Sequence, residues 1–143
     1  METHTLSAVA ISAEPVAAFG LHAVNTRIAL AYWREHVTPE VVAPGLKFYK
    51  CGTTHCFGGH LPDVPAFQAL GVCRSDSGVP IVEDGIAAGL YGINLALALF
   101  GLRSLFHERG QCCYDARTPC EATDYELVLS RLYIHLEFLE EAA

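Results

Sequence analysis

The chain has 143 residues, a length that fits one domain, since domains usually run to about 100–150 residues. Hydrophobic residues make up 52% of it and charged residues 17%, which excludes extensive disorder and leaves enough apolar surface for a real core. The net charge of −7, with only Lys47 and Lys50 as lysines, argues against nucleic-acid binding and favours a basic partner or simply solubility.

Residues 1–24 form an N-terminal segment, its first dozen residues without periodicity, expected to be loosely ordered or to supply a short β edge strand. The apolar run Leu6–Ile11 is preceded by Glu2 and by no Lys or Arg, so it does not resemble a secretory signal. The six cysteines are therefore expected as thiols in a reducing, cytoplasmic setting. Residues 25–143 are expected to form a mainly α domain, a bundle of four to five helices around a central apolar helix. No internal repeat or linker divides it.

From Asn25, the spacing of Ile28, Leu30, Ala31, Trp33 and Val37 predicts an amphipathic helix, with Asn25 or Thr26 as its cap and Pro39 as its stop. After a proline-containing loop, Cys51-Gly-Thr-Thr-His-Cys-Phe-Gly-Gly-His60 is expected to open a short buried helix capped by Thr53 or Thr54. Gly58 and Gly59 would mark a close backbone approach, or the end of that turn. Pro65 to Gly71 is a second short helix, and Cys73–Pro80 a turn-rich loop. Ile86–Leu102 is almost wholly apolar. Its length is at the lower limit for a membrane span, but Asn94, three glycines and the lack of flanking basic clusters favour a buried core helix. Thr123-Asp-Tyr-Glu126 is a capping box that opens the last helix. The apolar stripe of that helix runs through Tyr125, Val128, Leu129, Leu132, Leu136 and Leu139 and is the candidate face for a homodimer. Glu137, Glu140 and Glu141 crowd its C-terminal end, where the helix dipole disfavours them and fraying is expected.

Chemistry, if present, centres on Cys51, His55, Cys56 and His60. On one helix the Cys51/His55 pair and the Cys56/His60 pair point roughly 140° apart, so the four cannot close on one tetrahedral ion. No cofactor is expected. The alternative is a mixed zinc site that draws on Cys51, Cys56 or His60 together with Cys112, Cys113 or Cys120. A nucleophilic Cys51 beside Lys50 would need His55, His60, His107 or His135 as base and Asp63 or Asp84 to orient it. An anion could sit on Gly52-Thr53-Thr54 near Lys47 and Lys50, although no phosphate-loop pattern is present. His107 and His135 fall near helix surfaces and need no special role. Trp33 and Phe57 are expected as core anchors.

The residues Cys51, Gly52, Thr53, Cys56, Gly59 and His60 give this segment a resemblance to the C-G-T-x-x-C-x-x-G-[HW] motif of small uncharacterised proteins from bacteriophages and their bacterial hosts. The wider layout is similar too: Ile28–His36 precedes the motif, Leu105-Phe106 follows it, and Tyr125–Leu139 closes the chain. The resemblance implies an intracellular accessory protein and supplies no catalytic residues. Because tryptophan can stand at the position of His60, it also argues against that histidine as an obligatory metal ligand. The expected function is binding another protein, such as a host factor, a defence component or a phage assembly partner, without catalysis. A metal- or thiol-dependent protein centred on Cys51–His60 is the alternative, and a membrane-associated protein through residues 86–102 the second.

Overall fold

The computed structural model describes residues 16–47, 56–85 and 87–142, and within them the protein is mainly α. The described residues contain five α-helices in chain order: α1 (His22–His36), α2 (Phe57–His60), α3 (Pro65–Gln68), α4 (Gly92–Phe100) and α5 (Asp124–Ala142). The expected N-terminal β element falls largely outside the described residues. A two-stranded antiparallel hairpin lies elsewhere, β1 (Val72–Arg74) with β2 (Pro80–Val82), in the register Val72↔Val82 and Arg74↔Pro80. It occupies the stretch expected to be only a loop. Three residues per strand are too few for alternation to show, and Pro80 stands at the first position of its strand, where proline is tolerated.

Helix α1 begins at His22, three residues before the expected start, and neither Asn25 nor Thr26 caps it. Both lie inside the first turns and are buried. The Thr26 hydroxyl donates to His22 O at 2.7 Å, while Asn25 Nδ2 donates to Ala18 O and to Leu99 O, each at 2.8 Å. With Ala29, Leu30 and Trp33 they form the face laid against α4 and α5.

The apolar run expected as one helix is broken. Ala87–Gly89 form a turn in which Gly89 has φ +96°, Tyr91 bridges to Ile81, and the helix covers only Gly92–Phe100. Among the described residues no helix is long and apolar enough to cross a membrane. Leu95, Ala96, Leu99 and Phe100 of α4 are fully buried, so its role as a core helix is as expected. A helix leaves its last four carbonyls without intrahelical partners, and here every one is met. Gly101, left-handed at φ +77°, donates its amide to Leu97 O, and Gly20 N donates to Ala98 O. Asn25 serves Leu99 O, and His135 Nε2 lies 2.6 Å from Phe100 O.

The capping box forms as expected: Glu126 N donates to Thr123 Oγ1 at 3.1 Å, and Thr123 N donates to Glu126 Oε1 at 2.9 Å. The buried face of α5 is Leu127, Val128, Arg131, Leu132 and His135. Two polar residues thus sit in the middle of a stripe whose expected members Tyr125, Leu129, Leu136 and Leu139 are only half-buried. The helix continues to Ala142, and Arg27 of α1 pairs with Glu140 near its acidic end.

His135 is therefore a core residue, contrary to the surface position expected for it. Its Nε2 must donate to Phe100 O, which leaves Nδ1 to accept from the Tyr114 hydroxyl at 2.8 Å. Burial, aided by the charge of His22 and opposed by the Phe100 carbonyl, holds His135 below the usual histidine pKa. The unfolded chain then binds this proton more readily than the folded one. The resulting stability is complete above about pH 6.5 and is lost as pH falls below it, with a slope approaching 1.4 kcal/mol per pH unit. Urea titrations from neutral to mildly acidic pH should show this loss. In His135→Gln, which keeps a donor and an acceptor, the same titration should be flatter.

Candidate functional site

The described part of the motif lies in the middle of the core. Cys56 is extended, and its Sγ accepts from Gly59 N at 3.4 Å, so a sulfur caps α2. The expected capping threonines, Thr53 and Thr54, lie outside the described residues, as do Cys51, Gly52 and His55. Phe57 and His60 point into an aromatic cluster. The His60 ring meets Trp33 edge-on at 5.0 Å, and Phe57 lies 5.9 Å from Trp33, 5.5 Å from Phe100 and 5.7 Å from Phe106. Trp33 and Phe57 are core anchors, as expected.

The close approach expected of the glycine pair is real at Gly58, where an added Cβ would stand 2.9 Å from Phe106 Cδ2. Phe106 packs against Phe57 and Phe100, so it must shift against these rings to admit a methyl group. Overpacking of this kind costs about 1–3 kcal/mol, offset in part by the roughly 1 kcal/mol that alanine gains over glycine in a helix. Gly58→Ala should therefore destabilise by about 1–2 kcal/mol in thermal or urea unfolding. Combining it with Phe106→Leu should recover part of what the two changes cost separately, since the smaller side chain yields space to the new methyl.

Beside Gly58 a cavity of about 30 Å³ lies between Cys56, Val79, Pro80, Ile93 and Phe106. That is room for about one water, but the lining is apolar and offers such a water no partners.

The chain reaches the surface just beyond the motif. After α2 the chain turns through Leu61–Asp63, and Arg74 of β1 ties this turn in place. Its Nη2 donates to Gly59 O at 2.6 Å and to Asp63 Oδ2 at 3.1 Å. The segment that follows, Val64–Ala66, faces α1 across a groove of about 520 Å³. Ile28, Ala31, Tyr32, Val64, Pro65 and Ala66 give the groove an apolar lining, and Arg27, Glu35 and His36 bring charge and polarity to it. The Tyr32 ring packs 4.9 Å from His36. Burial, then the charge of Asp63, pushes its phenol above the ordinary range against the pull of Arg74, so it stays protonated and can donate. The motif helix and the hairpin arginine thus set the wall of a surface groove.

The other candidate residues are not gathered there. Cys112 is buried and Cys113 exposed on the loop before α5, while Cys120 is exposed with its Sγ 3.4 Å from Glu121 Oε2. Among the described residues no three of His, Cys, Asp or Glu are grouped to hold a metal ion. His107 is half-buried, its Nδ1 3.4 Å from Gln111 O.

The polar centre missed in the sequence is Arg131. Its Nε and Nη2 meet Asp115 Oδ1 and Oδ2 at 2.8 and 2.7 Å. The remaining donors reach the carbonyls of Leu105, His107 and Glu108. Asp115 also accepts from Gly110 N and Cys112 N. Burial would raise the Asp115 carboxyl, but the hydrogen bonds and charge of Arg131 and the two amides hold it below the usual range. The one available signal was its spacing four residues from both Leu127 and His135, a pattern that periodicity treats as a polar interruption.

Comparison of the chain with protein-family models, with curated proteins and with solved structures found no match.

Proposed function

We propose that this chain is a small accessory protein, of the phage type that its Cys51–His60 motif resembles, and that it acts in the cytoplasm by binding another protein rather than by catalysis. The groove between α1 and Val64–Ala66 carries the reading. Its volume lies within the range of real binding clefts, its lining is apolar, and its polar groups can orient an incoming segment. The net charge of −7 favours a partner segment that is basic. The described part of the motif contributes through Gly59, whose carbonyl anchors Arg74 beside the turn that leads into the groove wall.

The test places a photo-crosslinking residue at Ala31, which is exposed in the groove, and another at Asp84, which is exposed elsewhere. In lysate of the bacterial host, a defined partner should crosslink from position 31 and not from position 84. Ala31→Arg should abolish its capture while leaving the circular dichroism spectrum unchanged. Equal labelling from both positions, or no partner at all, would overturn the reading. About one zinc per chain in tag-free protein would replace it with a metal-dependent function centred on Cys51–His60.

A further inference from the structure

Away from the groove, two adjacent thiols share one hydroxyl. Ser104 Oγ, on the turn after α4, donates to Cys112 Sγ at 3.4 Å and stands 3.8 Å from Cys113 Sγ. Neighbouring side chains more often diverge, whereas these two sulfurs converge on the same oxygen. We propose that Cys112 and Cys113 form a reversible redox site, closing to a vicinal disulfide on reaction with low-molecular-weight disulfides of the glutathione type.

The two sulfurs differ in the way such a step needs. Cys113 is exposed and can meet the oxidant, while Cys112 is 4% exposed and cannot. Burial pushes the Cys112 thiol up, opposed by the Ser104 hydroxyl, the Tyr114 amide and the Arg131 charge, so Cys112 is not the first nucleophile. In the first step the Cys113 thiolate attacks one sulfur of the incoming disulfide. That S–S bond breaks, one thiolate leaves, and a mixed disulfide remains on Cys113. Cys112 then gives its proton to solvent and attacks Cys113 Sγ, expelling the second thiolate. In sum, the two protein thiols lose two electrons and two protons, and the small disulfide gains them to become two thiols.

Reversibility follows from geometry. Consecutive Cα atoms lie about 3.8 Å apart, below the usual disulfide range of about 4.4–6.8 Å, so the closed ring is strained and easily reduced. The site is also wired to the core. Cys112 N donates to Asp115 Oδ2, the partner of Arg131, and Tyr114, which follows Cys113, holds His135. Closing the ring draws the two sulfurs together beside Ser104 and twists the turn that carries both of these contacts.

Trypsin cleavage after Arg109 and Arg117 isolates Gly110–Arg117, which contains these two cysteines and no other. After the reduced full-length protein is incubated with glutathione disulfide, this peptide should lose the mass of two hydrogens and both alkylatable thiols, and dithiothreitol should restore them. Cys112→Ser should stop at the mixed disulfide on Cys113. A wild-type protein that stops at the same mixed disulfide, links either cysteine to another part of the chain, or leaves both thiols alkylatable would overturn the proposal. The wild-type map decides the point by itself, so a Cys112→Ser chain that fails to fold does not rescue it.

Discussion

Arg131→Ala is expected to destabilise the protein by about 3–5 kcal/mol, the cost of removing one partner of a buried ion pair. The pair is hidden from solvent, with side-chain exposures of 1% for Arg131 and 8% for Asp115. Truncation would leave the Asp115 carboxylate with only backbone amides for company and strip hydrogen bonds from the carbonyls of Leu105, His107 and Glu108. Those carbonyls belong to the segment joining α4 to α5, so the loss should unfasten the loop as well as weaken the core. Urea unfolding followed by circular dichroism would measure the change. Arg131→Lys should recover little, because an ammonium cannot reproduce the planar fork that meets both carboxylate oxygens. An Arg131→Met, Asp115→Ala double change should cost less than Arg131→Ala alone, since it leaves no unpaired charge buried. The acid limb offers an independent check. With the folded-state pKa of Asp115 depressed, its contribution is present above about pH 3.9 and is lost as pH falls further.

Trp33→Ala should cost a similar amount, about 3–5 kcal/mol. Trp33 is 1% exposed and stands where α1, α2 and α5 meet. Besides His60 and Phe57, its ring stacks on Tyr125 at 5.8 Å, its Nε1 donates to Tyr125 O at 3.2 Å, and the Tyr125 hydroxyl donates back to Trp33 O at 3.3 Å. Alanine would open a cavity in the aromatic cluster that no neighbour can fill, because Phe57 is already wedged between Phe100 and Phe106. Trp33→Phe should be milder, about 1–2 kcal/mol, with the ring partly kept and the indole donor lost. Since this is the only tryptophan, thermal unfolding should be followed by far-ultraviolet circular dichroism. Near-equal stabilities of Trp33→Ala and wild type would show that the cluster is not the keystone of the α1–α5 contact.

The candidate groove was half legible in advance. The turn chemistry around Cys51–His60 marked a buried helix end, and Gly58 did mark a close approach. Nothing in the chain's local pattern showed that Arg74 would come back to Gly59 O and Asp63, because that contact depends on a hairpin whose strands are too short to display a period. The groove wall at Val64–Ala66 therefore appears only once the hairpin is in place.

Local residue patterns carry those features that neighbours along the chain decide among themselves. The capping box of α5, the stop of α1 before Pro39 and the burial of Trp33 and Phe57 follow from interactions spanning at most a few turns, together with the plain hydrophobicity of the residues involved. The fate of the polar residues on buried faces depends instead on how distant elements pack. Asn25 reaches a carbonyl 74 residues away, His135 one 35 residues away, and Arg131 a carboxylate 16 residues back. Burying a polar group is costly unless a partner waits for it. Whether one waits is settled by the packing of distant elements, and no local pattern in the chain contains that information.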